Sequence, residues 1–469
     1  MSVNKLRRLP LAAAAMLACM GAQAGYQSPD GHFSLSGFGT LGASKSTTDD
    51  AIYNYPGQGG GSTKHGTLDP DSKIAVQGTY KFTPTVSGTT QVMTKYDAEG
   101  QYVPQISWAF AKWQVIPSLT LRAGRMGVPA FMISDFRDVG YANTPVRPPL
   151  DVYGQVPVSQ FDGADASYQW ELGGTSLTAS VWAGTAKADY RSSITSATAG
   201  FTIERAAGFN ALADLGNGWS VRAGHMKGKL SVQSDAITQL GTNAAALKTA
   251  VTNYAGLAAL AGDGANAAIA AAKAATYQDA IDLADPSAVD STFSGIGLAY
   301  DQDEWVGSLE FTKRHSKGFI SSTTGWYGML GYRINAFTPF VGLSKLKSDR
   351  RASSTPADAT VLFSPAVINV STGQRAGISA AAAAGDPALN AGLLALAGVQ
   401  KQDERTVTMG VRWDATSSTA VKFQFDRISK PADSNGMFLH YDPAQPAQVA
   451  FTAQKRSISV MTLSVDFVF

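Results

Sequence analysis

Five histidines, a single cysteine and one glycine-rich hexapeptide are the residues of this 469-residue chain that could carry covalent, metal or nucleotide chemistry. None sits in a workable pattern. His32, His65, His225, His315 and His440 are scattered, with no pair at metal-ligand spacing, and no Gly-x-Ser-x-Gly elbow occurs. Only His225, given a Ser or Asp on a neighbouring strand, leaves room for hydrolysis at a membrane edge. Gly37, Gly39 and Gly42 fit the dinucleotide fingerprint by letter, but they lie inside a strand pattern and lead into a Ser/Thr/Asp loop, so no helix follows to hold a phosphate. Asp69 with Asp71, and Asp97 with Glu99, read as acidic turns rather than Ca²⁺ sites. What remains is charge: carboxylates at Asp135, Asp138 and Asp151 in a loop rich in proline and aromatics, and isolated basic residues set into strands. Fixed charges of this kind act on a solute through their field rather than through bonds.

The elements that position them are strands. Met461, Leu463, Val465, Phe467 and Phe469 share one parity, while Thr462, Ser464 and Asp466 take the other. Alternation with period two gives one apolar and one polar face. Sixteen segments show it, beginning at His32, Ser72, Val86, Gln105, Leu119, Asp162, Ser176, Phe201, Trp219, Ser294, Trp305, Gly325, Thr338, Arg405, Thr419 and Arg456. Each is near the ~9–11 residues that a tilted strand needs to cross a bilayer. Connections alternate short and mostly long. An even strand count with that alternation predicts an all-β fold: a transmembrane antiparallel β-barrel of about 16 strands, with short helices in its outer loops. Val361 and Val367 leave room for an added hairpin, making 18. Trp170, Trp219, Trp305 and Trp413 all flank short turns, where amphipathic rings belong at the headgroup level.

The ends agree with export. Lys5, Arg7 and Arg8 precede an apolar run from Leu9 to Met20 and a small-residue site at Ala22, Gln23 and Ala24, which reads as a signal peptide over residues 1–24. A lipoprotein signal at Cys19 is the weaker alternative. Cleavage leaves residues 25–469 without cysteine, and with 35 Lys+Arg against 36 Asp+Glu, which gives no reason to expect nucleic acid as a partner. No window after the signal holds ~18 consecutive apolar residues, so helical membrane spans are excluded. Residues 230–290 and 350–403 are alanine-rich outer loops. Ala245 to Ala280 suits helix, broken near Asp263 and Gly264, with Lys248, Lys273 and Asp279 at solvated positions. Ala380 to Leu396 is a second candidate.

The segment 126–160 carries the resemblance. It holds Gly127, Pro129, Phe131, Ser134, Asp135, Arg137, Asp138, Tyr141, Arg147, Pro148, Pro149, Asp151 and Tyr153. With Gly124 and Arg125 ahead of it, the sixteen-strand plan and the closing Phe469, the chain resembles the Gram-negative general porin family. The resemblance implies that this third loop folds inward as a constriction, its carboxylates Asp135, Asp138 and Asp151 facing basic residues on the wall. Arg125 opens the loop. Lys73, Lys81, Arg122, Arg222, Arg412 and Lys422 fall on the polar parity of their strands and complete the expected pore constriction. Glu310, Asp165 and Asp466 read as solvated bystanders, and Arg147 as an ion-pairing anchor of the loop. The resemblance further implies a passive diffusion channel for small hydrophilic solutes and ions, no catalytic step and no cofactor, residence in the outer membrane among lipid and lipopolysaccharide, and a homotrimer packed through short side chains such as Ala164 and Ala166. A substrate-selective channel, a barrel-scaffold enzyme or adhesin, and a soluble secreted β-sandwich are the rivals. Conductance in planar bilayers and the need for detergent separate them.

Overall fold

The computed structural model describes residues 25–156, 158–191, 198–260, 262, 264–317, 320–349, 389, 391–393, 401–439 and 446–469. The signal-peptide segment, the possible Val361/Val367 hairpin, His440 and most of the Ala380–Leu396 helix lie outside them.

Sixteen long strands form one sheet among the described residues. They are β1 Phe33–Ser46, β2 Lys73–Lys81, β3 Val86–Lys95, β4 Gln105–Ile116, β5 Leu119–Gly127, β6 Gln160–Leu172, β7 Thr175–Arg191 and β8 Thr198–Gly216. They continue as β9 Trp219–Gln233, β10 Val289–Gln302, β11 Trp305–Ser316, β12 Thr323–Tyr332, β13 Phe337–Ser348, β14 Glu404–Thr416, β15 Thr419–Lys430 and β16 Arg456–Val468. Each pairs antiparallel with its sequence neighbours, and β16 pairs with β1 through Gly39↔Phe467, Leu41↔Val465 and Ala43↔Leu463, so the sheet closes. Closure leaves no unpaired edge, the condition for placing strands in hydrocarbon.

Glycines make the closing seam possible. A Cβ on Gly37 would stand 2.2 Å from the Phe469 ring, and one on Gly39 would stand 2.3 Å from the Phe467 ring. The seam continues past β16, where the Phe469 amide donates to the Gly37 carbonyl and the Gly37 amide to the Phe469 carbonyl, at 3.0 and 2.7 Å. The strand glycines that mimic a nucleotide fingerprint are therefore the bed for two aromatic rings. At the β6–β7 reversal, Gly173 and Gly174 take φ of 57° and 85°, the two positive values of a type I′ turn.

The outer wall is apolar. Val181, Phe209, Ile296, Leu309, Val341 and Leu463 are exposed there, a continuous band that water would not tolerate and lipid would. Trp170, Trp219, Trp305 and Trp413 are also exposed, beside the short turns. Trp219 packs on Tyr300 at 4.7 Å, and Trp305 on Tyr332 at 4.8 Å. No helix of the described residues is long and apolar enough to cross a membrane.

The loop segment α1 (Leu150–Tyr153) lies in the third outer connection. The alanine-rich connection after β9 folds as two helices, α2 Asp235–Leu260 and α3 Gly264–Leu283, separated near Gly262, whose φ is +75°. They pack on each other and on Leu389 and Leu393 through Ala244, Val251, Ala270 and Tyr277. Asp279 is exposed and Lys248 half-buried, donating to Gln278. Lys273 differs from its expected solvation: it is buried over the Tyr277 ring at 5.8 Å, where an aromatic face substitutes for water. A short helix α4, Pro446–Ala453, precedes β16.

Candidate functional site

The connection between β5 and β6 is held inside the barrel. Its root is apolar: Phe131 stacks on Tyr153 at 4.3 Å and meets Phe293 edge-on at 5.1 Å, within a buried cluster with Met126, Val152, Val156, Phe161 and Trp182. Wall strands projecting these apolar groups inward supply the burial that a loop with little regular structure cannot supply for itself.

A loop in a cavity must also satisfy its backbone, and polar wall residues do so. Glu310 accepts the Met132 amide at 2.9 Å and the Tyr153 hydroxyl at 3.0 Å. Gln155 donates to Thr312 at 2.7 Å and accepts from Thr323 at 2.9 Å. Arg147, buried, reaches Asp71 at 2.7 Å, Thr462 at 2.9 Å and Asp426 at 3.5 Å, with its guanidinium over the Tyr55 ring. At the tip, the Lys422 ammonium donates to the Gly140 and Asn143 carbonyls, both at 2.6 Å, and pairs with Asp466 at 3.1 Å, all fully buried. Arg412 donates to the Tyr141 carbonyl at 2.6 Å and to Asn143 at 3.0 Å while paired with Asp414. The Tyr141 hydroxyl reaches the Ser417 carbonyl in a short turn at 2.8 Å, so the loop extends toward the short-turn end.

The expected constriction residues therefore take several different positions. Asp138 pairs with Lys73 at 3.9 Å and Lys95 at 3.8 Å. Asp135, largely exposed, pairs with Arg222 at 3.2 Å. These two carboxylates and three cations are brought together around the tip, in contact rather than across a gap. Lys422 and Arg412 serve the loop's backbone. Arg122 pairs with Asp165 on the adjacent strand through a 3.0 Å Nε bond. Lys81 lies exposed at the short-turn end, its carbonyl beside the His32 ring. Asp151 does not face a lumen cation. It is buried and accepts from the Ser344 and Thr406 hydroxyls, because the single helical turn of α1 presses it onto β13 and β14. Arg125 shares the outward parity of Leu121 and Ala123 and pairs with Asp162 at 2.7 Å on the outer wall. The carboxylates expected as bystanders, Glu310, Asp165 and Asp466, are the loop's and wall's partners. Sequence reasoning missed Lys95, although it shares the polar parity of Thr89 and Gln91, and missed Gln155, which carries no sequence signal. Asp71, Asp97 and Glu99 are absorbed by structure: Asp71 pairs with Arg147, and Asp97 accepts the Glu99 and Gln101 amides.

Burial alone would raise the Asp138 carboxyl, but Lys95, Lys73 and Arg137 outweigh it and hold the group below its ordinary value of 3.8. A depressed carboxylate contributes docking energy that is complete above the unfolded value and is lost only as pH falls through the folded one. The tip should stay docked at pH 5 as at pH 7. Exchange of Asp138 for Asn should loosen it equally at both, read as amide hydrogen exchange of residues 136–143. A loosening confined to pH 7 would contradict the assignment.

No family model matches this chain, and no curated protein does. Solved structures with a similar barrel include Salmonella typhi OmpF in complex with daunomycin, at 10% identity over 94% of this chain and 99% of that one, TM-score 0.49. The outer membrane channel DcaP of Acinetobacter baumannii is similar at 9% identity, 95% and 100% coverage and TM-score 0.49. An anion-selective porin from Comamonas acidovorans follows at 11%, 93% and 99%, and 0.48. At such distances the barrel's own pairing, not the likeness, carries the reading.

Proposed function

We propose that the protein is an outer-membrane porin, a passive diffusion channel for small hydrophilic solutes and ions. One observation carries this: a closed antiparallel barrel with an apolar outer band and an inner wall whose charges grip an inserted loop. Asp135, Asp138, Lys73, Lys95 and Arg222 form its charged constriction. Residues 1–24 direct export and are cleaved.

The outer wall supports the partners. Above the apolar positions Val341 and Val407, the exposed Lys345 stands directly opposite the exposed Arg405, with Lys347 and Arg427 close by. Like charges opposite one another repel, and the anionic headgroups of lipopolysaccharide relieve that. On another sector, Gly78, Gly88, Ala109, Ala111 and Ala123 leave a shallow groove edged by Phe33, Tyr80 and Phe82. With Ala164 and Ala166 this is the wall on which copies of a homotrimer would pack.

Purified protein in planar bilayers should show ohmic conductance, and its absence from folded protein sinks the proposal. Asp135→Asn should move the reversal potential under a KCl gradient toward anion preference, since an exposed negative charge leaves and Arg222 stays. One observation favours a barrel hydrolase instead: His225 Nδ1 lies 2.8 Å from Ser294 Oγ on the outer wall. Lipid hydrolysis abolished by His225→Ala, together with zero conductance, would establish that reading.

A further inference from the structure

On the long-loop side of the inserted loop, the interior wall changes character. Interior positions of a water-filled barrel are polar. Here β7 to β10 turn Trp182, Tyr190, Phe201, Ile203, Met226 and Phe293 into a recess of about 200 Å³. Val156 and Val158 of the inserted loop close it on one side. Ile237 and Leu240 of α2 pack against its Tyr190, Phe201 and Leu230, so the helical hairpin braces the rim.

The charge at this recess has one sign. Its charged lining residues are Arg191, Arg314 and, exposed on the outward parity of β9, Lys227, with no Asp or Glu among the described ones. Arg314 donates to the Gln155 carbonyl at 2.8 Å and the Ser321 carbonyl at 2.9 Å, and it has no carboxylate within ion-pair distance among the described residues. By contrast Arg122, Arg147, Arg222 and Arg412 each have an acidic partner. A guanidinium in apolar surroundings without an anion retains an uncompensated desolvation cost. The Nε/Nη2 edge is taken by the Ser321 carbonyl, at 3.3 and 2.9 Å, so a ligand carboxylate would remove that cost from the Nη1/Nη2 edge, while an attached ring would cover the aromatic wall.

We propose that this recess is a binding site for monoanionic organic acids with an apolar or aromatic body, met by a solute before the constriction. The proposal deepens the channel reading and rests on it for the route of entry.

The test is calorimetric titration of the full chain, folded in detergent, with 3-phenylpropanoate. Acetate lacks the ring, and 3-phenylpropan-1-ol lacks the charge. The acid should bind, and both controls should bind at least ~10-fold more weakly, as the loss of a desolvated charge pair or of an anchoring ring requires. Arg314→Gln should weaken the acid by a similar factor. Ala186→Leu, which fills the recess and leaves Arg314 in place, should do the same. No binding of the acid, equal binding of the alcohol, or full binding by both folded variants overturns the site. KCl conductance of the same preparation reports the channel separately: conductance without acid binding removes only this inference, and acid binding without conductance removes only the passive channel.

Discussion

Replacing Lys422 with methionine should release the tip of the inserted loop while leaving the barrel intact. The ammonium serves the carbonyls of Gly140, Asn143 and Pro145 and pairs with Asp466. Methionine fills similar space and supplies no donor. The Pro145 carbonyl then loses its donor, the Gly140 and Asn143 carbonyls keep only the Asn143 amide and Arg412, and Asp466 loses its cation; breaking one buried pair costs about 3–5 kcal/mol. Asp466 keeps the hydroxyls of Thr40 and Ser464, so its loss is partial. The strands bear none of this, because their ladder bonds do not involve the side chain. The tip should therefore open locally, below the energy of global unfolding. Hydrogen exchange of residues 139–143 should accelerate by orders of magnitude, and single-channel current should rise and become noisy. Asp466→Asn in the same chain should recover part of the loss, since it removes the bare charge, so the two changes will not add. Unchanged exchange at the tip would show that the Arg412 contacts alone suffice.

The second large effect lies at the seam. Gly39→Leu should abolish the folded, heat-modifiable band on unheated gels. Its side chain would begin 2.3 Å from the Phe467 ring. Overpacking in a core costs about 1–3 kcal/mol, and here the ring is buried against the β1 backbone. Displacing β16 from β1 would expose unpaired amides and carbonyls within hydrocarbon, each costing several kcal/mol. Phe467→Ala combined with Gly39→Leu should restore closure by exchanging large and small partners. A folded Gly39→Leu barrel with unaltered heat stability would show that the ring simply swings outward. Phe469→Ala should have a milder effect, because its seam bonds come from its backbone.

The two sites show why different parts of this molecule were legible to different degrees. Strand positions were readable because the period-two pattern is local: Ile74, Val76 and Tyr80 alternate with polar neighbours whatever lies across the barrel. Even the short turns, including Gly173 and Gly174, are encoded by adjacent residues. The same parity rule found Lys73, Arg222, Arg412 and Lys422 as inward charges. It also placed Arg125 in the wrong company, because proximity in sequence to the loop was weighed above its parity with Leu121. Asp151, read as a lumen carboxylate, is a buried anchor, and Glu310 and Asp466, read as bystanders, hold the loop.

Sequence alone determined the strands, their inward and outward faces, the alternation of short and long connections, the helical character of residues 245–280 and the identity of the loop that carries the charges. Only the tertiary structure decided what each charge meets. Lys422 and Asp466 stand on different strands, and the carbonyls that Lys422 serves lie more than two hundred residues away. A charge's role depends on its partner and on how much water remains around it, and both are set when the sheet closes and the loop folds in. The Phe467 ring over Gly39 and the lone guanidinium of Arg314 follow the same rule: periodicity fixes a side chain's direction, and closure fixes its neighbours.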